Sequence, residues 1–360
     1  MNYSIPKVII GFQLLVVLII FIGHPSHVNA DPFREAVAIY NSGNYPKAFR
    51  LFEILAKQGH VDAQHNCGLM LYRGEGVFKD TLKAYQWFFK AAEQGLAISQ
   101  FNLGLLYYRG EGVAKDYEKA IEWFLKAAEQ GHSSAQFKLG DFYSRGIGVK
   151  QDYGRAMMWF LKSAQQGNAF AQNNIGFLYE EGKGVSRNYG EAVKWYFQAA
   201  KQGIAAAQQS LAKFYSNGLG VPQDYPQALK WYRLSAKQGN SLAQHDLGLH
   251  YAEGQGVPQD FHEAIKWLRL SAEQGNAFGQ NDLGILYREG HGVPKDNVQA
   301  LKWFILSARH DPPKANHDEA VKNRDDLKKE MTPHQIAEAQ KLADAWKPTS
   351  WEELSMASDK

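Results

Sequence analysis

Residues 97–131 read AISQFNLGLLYYRGEGVAKDYEKAIEWFLKAAEQG, and this stretch decides the fold. Ser99, Leu103, Leu106 and Tyr107 recur at i, i+4, i+7 and i+8, which is one face of a helix. Gly110 follows as a residue able to take the left-handed conformation that ends helices. Gly112 and Val113 turn the chain, with the valine as an apolar plug under the loop. Asp116 is a natural N-cap for a second helix, because its carboxylate can accept a free N–H of the first turn. Ala120, Trp123, Phe124, Ala127 and Ala128 make the second apolar face, and Gly131 closes it. Gly104 and Ala120 are small enough to let the two helices approach closely. Asn188 with Glu191 and Asp260 with Glu263 have the spacing of a reciprocal capping box.

The same pattern runs along the chain on a fixed ruler. Gly-x-Gly-Val starts at Gly74, Gly110, Gly146, Gly182, Gly218, Gly254 and Gly290, in steps of 36. Trp87, Trp123, Trp159, Trp195, Trp231, Trp267 and Trp303 step by 36 as well, as do glycines 59, 95, 131, 167, 203, 239 and 275. Only a repeat architecture keeps such a register. A two-helix unit cannot bury its apolar face alone, so neighbours stack. Residues 59–310 hold seven units. Residues 31–58 are a degenerate capping unit, in which Tyr45, Ala48, Phe52 and Ala56 keep the second-helix pattern. Past residue 310 the ruler stops at Pro312-Pro313. Residues 311–346 read as C-terminal capping helices: a charged helix over 318–330, then one opened by Thr332, Pro333 and Gln335. The tail, 347–360, is expected to be loosely ordered.

Residues 1–30 belong to targeting. Lys7 precedes a fifteen-residue apolar run, Val8 to Ile22, and Val28 and Ala30 offer the small residues that a signal peptidase accepts. The run is shorter than the roughly 20 residues a spanning helix needs. The expectation is a cleaved secretory signal, with an uncleaved anchor as the alternative. Export places the mature chain in a periplasmic or secreted setting.

Composition narrows the function. Lys+Arg number 40 and Asp+Glu 37 over 360 residues, a near-neutral balance that argues against a nucleic-acid phosphate binder. A hydrophobic content of 45% supports a buried core. One cysteine excludes a disulfide framework and a cysteine-based zinc cluster. Cys67 takes the place of Leu103, Leu139 and Leu211 in other units, so it reads as a small buried hydrophobe with an inert thiol.

The units follow Ala-x3-Leu-Gly-x2-Tyr-x2-Gly-x-Gly-Val-x2-Asp-Tyr-x2-Ala-x2-Trp-x3-Ala-Ala-x-Gln-Gly, carried in unit two by Leu103, Gly104, Tyr107, Gly110, Gly112, Val113, Asp116, Tyr117, Ala120, Trp123, Ala127, Ala128, Gln130 and Gly131. This pattern resembles the Sel-one-like repeat, a branch of the tetratricopeptide superfamily. Ala212, Gly279, Asn297 and Leu71 depart from it in ways that touch local packing only. The resemblance implies an all-α, right-handed α-solenoid with the first helix of each unit on the concave side. It also implies a scaffold or adaptor role, which exported bacterial members play in envelope assembly, signalling and host interaction.

Catalytic motifs are missing from the sequence. Gly-Glu-Gly-Val follows a helix rather than a strand and lacks a third glycine in place, so it is a cap and turn, not a phosphate loop. There is no Gly-Lys-Ser/Thr, His-Glu-x-x-His or Gly-x-Ser-x-Gly. Ser210 and Lys213 lie inside a repeat helix without a partner motif. His245 and His250 are five apart, a poor helical spacing for a metal pair, and His310 and His317 read as surface residues. The expectation is a protein with no enzymatic activity, no cofactor and no metal.

Binding is sought where units differ. The variable first-helix positions, 62, 65, 69, 72 and 73 in steps of 36, share one face. Ile98, Phe101, Leu105 and Tyr108 stand there in unit two, Phe170 and Phe177 in unit four. Such residues form either a groove for a protein or peptide or packing between units. The last position reads Arg73, Arg109, Arg145 and then Glu181, a change of sign that would orient an extended partner. Tyr72, Tyr108 and the series Asn66, Asn102 and Asn174 offer a glycan-binding alternative. Contact with a membrane is expected only through an uncleaved N-terminal segment.

Overall fold

The computed structural model describes residues 31–309 and 314–358. The targeting segment, Pro312-Pro313 and His310 lie outside these residues. Among the described residues there are nineteen helices and no strand. They fall into two compact bodies that divide between Ser186 and Arg187.

The N-terminal body opens with α1 (Pro32–Asn41) and α2 (Tyr45–Lys57), the capping unit. Helices α3 (Val61–Arg73), α5 (Ala97–Arg109), α7 (Ser133–Arg145) and α9 (Ala169–Glu181) are the first helices of successive repeats. Helices α4 (Thr81–Glu93), α6 (Tyr117–Glu129) and α8 (Tyr153–Gln165) are the second helices. From α1 to α9, consecutive helices pack on each other. The C-terminal body alternates in the same way: second helices α10 (Tyr189–Lys201), α12 (Tyr225–Ala236), α14 (Phe261–Glu273) and α16 (Asn297–Arg309), with first helices α11 (Ala205–Asn217), α13 (Ser241–Glu253) and α15 (Ala277–Glu289) between them. Helices α17 (Lys314–Lys329) and α18 (Pro333–Ala345) both pack on α16, which covers the last repeat. Thr332 and Gln335 form a reciprocal capping box on α18.

Each joint follows from its residues. Gly110 caps α5 at φ 74, and its N–H donates to the Leu106 carbonyl. Asp116 accepts the Lys119 N–H at 3.0 Å and starts α6. The second glycine of the joint answers a closer constraint. Gly184 has φ +73, and a Cβ there would lie 2.6 Å from the Tyr153 backbone carbon, so only glycine fits against the second helix of the repeat before. Within the helix pair, the Phe124 ring sits over Gly104, where a Cβ would come within 2.5 Å of it. Ala120 and Phe124 are fully buried beside it, as the spacing predicts.

A second device joins neighbours. Gln64 donates to the Ala56 carbonyl at 3.1 Å, and its own side-chain oxygen accepts from Gln94 at 2.8 Å. Gln100 and Gln130 repeat this at 2.7 Å, and Gln136 and Gln166 at 2.8 Å. In the C-terminal body, Gln208 pairs with Gln238 and Gln244 with Gln274. Gln64, Gln100 and Gln136 are buried, and these bonds satisfy their side-chain amides.

Two expectations are corrected. Asn188 and Asp260 do cap their helices, but Glu191 and Glu263 do not return the bond; they pair with Lys194 at 2.6 Å and Lys266 at 2.5 Å. Surface lysines one turn on outcompete the N-cap amide for those carboxylates. The tail is not loose either. Residues 346–350 run extended along the C-terminal body and lead into α19 (Trp351–Ser358). Thr349 N–H donates to the Glu273 carbonyl at 2.8 Å, and the Trp346 indole N–H donates to the Glu273 carboxylate at 2.8 Å.

Candidate functional site

The first helices are the place to look, because their sequences vary where the second helices repeat. On α5, Phe101 and Leu105 do not line an open face. They are 0% and 1% exposed. The Phe101 ring stacks on His132 of the next joint at 4.7 Å and tilts against Phe124 at 5.7 Å. These two residues therefore pack between units, and of the two readings of the sequence the packing one holds for them. Ile98 and Tyr108 remain half-buried. Tyr108 leans on Phe142 at 5.4 Å and Tyr117 at 5.9 Å. On α9, Phe170 and Phe177 are half-buried, with Phe137 6.1 Å from Phe170 and the Lys183 ammonium 4.9 Å from the Phe177 ring. Asn174 turns inward and donates to the Phe170 carbonyl at 2.8 Å.

The arginine edge is also changed by its neighbours. Arg73 pairs with Glu75 at 3.1 Å, and the Tyr40 hydroxyl donates to the same carboxylate at 2.6 Å. Arg109, Tyr72 and Glu111 make the same set one repeat on, with Tyr72 donating to Glu111 at 2.7 Å. Burial, then the adjoining carboxylate, push the Tyr40 hydroxyl up to about 12. Arg145 pairs with Asp141 at 3.4 Å. Each arginine meets a carboxylate, so the edge carries little net positive charge. Glu181 is half-buried at the end of α9. The glycan series fares worse: Asn66 and Asn102 are fully buried, and Tyr72 is engaged with Glu111.

Sequence reasoning missed a polar chain in the C-terminal body. Gln209 donates to Asp246 at 2.9 Å; Asp246 faces His245 Nδ1 at 3.2 Å; His245 Nε2 faces Asp282 at 2.7 Å. Asn281 donates to Asp282 at 3.3 Å, and Asn323 donates to Asn281 at 3.0 Å. The chain thus links α11, α13, α15 and α17. Burial alone would lower the His245 pKa; the carboxylates of Asp246 and Asp282 outweigh it and raise it to about 9. With a carboxylate on each ring nitrogen, the histidine is an imidazolium at neutral pH. The signal was present in the spacing: Asp246 and Asp282 follow Gln209 and His245 by 37, one repeat plus one residue. His250 points elsewhere, to Ser216 at 3.2 Å and the Gln255 carbonyl at 3.0 Å, so the two histidines do not converge. No group of metal-ligating side chains occurs among the described residues. Cys67 is fully buried, and burial pushes its thiol far above the usual range. No helix of the described residues is long and apolar enough to cross a membrane.

Relatives of known structure share this paired-helix architecture. One is a Sel1 repeat protein from Oxalobacter formigenes, 37% identical, with a TM-score of 0.61 over 68% of this chain and 97% of that one. Another is c5321, a protective antigen present in uropathogenic Escherichia coli strains and displaying an SLR fold; it is 28% identical, with a TM-score of 0.52 over 92% of this chain and 97% of that one. Comparison with curated proteins finds no match. The model of the Sel1 repeat matches residues 42–60, 61–96, 97–132, 133–168, 169–204, 205–240, 241–276 and 277–312. Paired helices on a 36-residue ruler, each joint in the register of that match, make this chain a member of the Sel1 repeat family.

Proposed function

We propose that this protein is an exported, non-catalytic scaffold that holds a protein partner against the first-helix face of its repeats. Sel1 repeat proteins are protein-interaction scaffolds, and that coarser role belongs to this chain with its family. The observation that carries the finer reading is the pair Phe170 and Phe177 on α9. They keep aromatic surface half-open on a first helix, while Phe101 and Leu105 on α5 are closed off by packing. Aromatic side chains with partial exposure are favoured anchors for a partner's apolar side chains. The leader-like residues 1–30 support export to the periplasm or beyond, where envelope assembly, signalling and host contact are the open roles.

The test compares the full chain with a Phe170→Asp/Phe177→Asp variant, by affinity capture from the source cell after export. Loss of one protein from the variant's captured set supports the reading, provided melting curves show both proteins folded. An unchanged set removes α9 from the binding surface. Mature N-terminal sequencing of the exported form locates the cleavage, expected after Ala30.

A further inference from the structure

The segment after α18 treats the body it belongs to as a binding surface. Trp346 donates its indole N–H to the Glu273 carboxylate at 2.8 Å, and Thr349 N–H donates to the Glu273 carbonyl at 2.8 Å. Pro348 lies 3.7 Å from where a Gly275 side chain would stand, and Trp346 lies 3.8 Å from it. The Trp346 ring meets Trp303 edge-on, at 6.3 Å between centroids. Trp351 then fills the space over Gly239, the matching glycine one repeat earlier. Three features make this seat. Glu273 ends α14, so its carbonyl has no partner within the helix and is open to a donor. Gly275 leaves room for a ring and a proline. Trp303 supplies a wall.

The acid, glycine and tryptophan of this seat recur twice more, in the N-terminal body, with both tryptophans buried. Glu129, Gly131 and Trp159 stand in the register of Glu273, Gly275 and Trp303, four repeats earlier; Glu93, Gly95 and Trp123 stand five earlier. Other repeats break the set, with Lys57, Gln165, Lys201 or Lys237 at the acidic position. Glu93 and Glu129 also end their helices, α4 and α6. Nothing stands within 4 Å of where side chains would be at Gly59, Gly95 or Gly131. Residues 93–95 and 129–131 are exposed, whereas 273–275 are half-buried under the tail. The room for the second tryptophan is present too, at Gly95 for the Glu129 seat and at Gly59 for the Glu93 seat.

We propose that Glu93–Gly95 and Glu129–Gly131 form a docking edge for an extended segment of a partner protein, one that carries tryptophan and proline spaced as in Trp346-Lys347-Pro348-Thr349-Ser350-Trp351. The tail of a second copy is not the occupant: each tail is tethered beside its own seat at a millimolar effective concentration, which holds it there. This edge lies at the ends of second helices, and the proposal stands apart from the first-helix reading above.

The test uses the full chain and a labelled peptide of the sequence 345–352, followed by fluorescence anisotropy. Saturable binding is expected, weakened tenfold or more in Glu93→Lys/Glu129→Lys and absent for the peptide with both tryptophans changed to alanine. Gln165→Lys, the same position in a repeat without the acid, leaves binding unchanged. Both glutamates are exposed, so the double variant keeps its fold, which circular dichroism and melting verify. Failure to saturate at millimolar peptide overturns the proposal, as does equal binding by the double variant. Concentration-dependent dimers that vanish in Glu93→Lys/Glu129→Lys would name the second copy as occupant and overturn the partner assignment.

Discussion

His245 and Asp282 meet across one repeat boundary, imidazole Nε2 to carboxylate oxygen at 2.7 Å, and this contact ties the protonation of one side chain to the register of two repeats. The His245 pKa is raised to about 9, so its contribution is complete below its unfolded value near 6.5 and is lost as pH rises through about 9. The full difference corresponds to about 3.5 kcal/mol at most, since each unit is about 1.4 kcal/mol. The opposite case is His132, stacked under Phe101, whose pKa burial lowers to about 4. Its contribution is present above about 6.5 and is lost as pH falls toward 4. Imidazole resonances followed by NMR should show one histidine titrating near 9 and one near 4. Two midpoints near 6.5 would contradict both environments.

Asp282→Asn keeps the shape of that contact and removes one of its charges. The His245 midpoint should fall by about one unit or more, the range for losing a charged neighbour. Asp246→Asn should act in the same direction, with Tyr232 also released from its bond to that carboxylate. No movement of the midpoint in either variant would show that the carboxylates do not hold the proton.

Two glycines of the same conformation should respond differently to alanine. Gly131→Ala has φ +88 and open space, so it should cost only the left-handed strain, about 1–2 kcal/mol. Gly184→Ala has φ +73 and meets the Tyr153 backbone, which cannot swing away, so it should cost at least about 2 kcal/mol more. Urea midpoints decide between them, and equal losses would mean that the joint has room for a methyl group.

Cys67 should resist modification in the folded chain. It is fully buried, and burial disfavours its thiolate. A thiol reagent at pH 8 should label it only as fast as the surrounding helices open, with complete labelling in denaturant. Immediate labelling under native conditions would place the thiol at the surface.

Trp351→Ala should release the tail without unfolding the helices beneath. The indole is held by the glycine gap at Gly239, and Thr349 by a single backbone bond. Limited proteolysis should cut residues 346–358 at least several-fold faster in the variant, while the far-ultraviolet spectrum stays unchanged. Local opening of this kind needs less free energy than global unfolding.

Much of the architecture was legible because a strict 36-residue spacing restates each helix, cap and joint seven times. Asp116 and Gly110 take the roles their chemistry assigns. The partner-facing residues were harder, for a physical reason. A variable first-helix position faces solvent or a neighbour according to what the next joint places over it. Phe101 is buried because His132 lies on it, and no periodicity within α5 records that. The arginines at 73 and 109 read as a basic edge in one dimension, but a tyrosine from the unit before and a glutamate two residues on close around each of them. The tail is short, polar and without period, and it is ordered only by tertiary contact with helix ends.

The glutamine-to-carbonyl bonds between repeats have a consequence for how this chain came to its length. Each first-helix glutamine donates to an alanine carbonyl of the repeat before it, as Gln64 does to Ala56, Gln100 to Ala92, Gln136 to Ala128 and Gln244 to Ala236, so the partner groups are the same from joint to joint. A duplicated or deleted block of 36 residues therefore leaves two ends that already match. Unequal recombination within the gene yields a working seam without further mutation, whereas a slip of any other length leaves a buried amide stranded. The lineage can lengthen or shorten its surface in whole steps, and natural variants should differ in repeat number more readily than in repeat length.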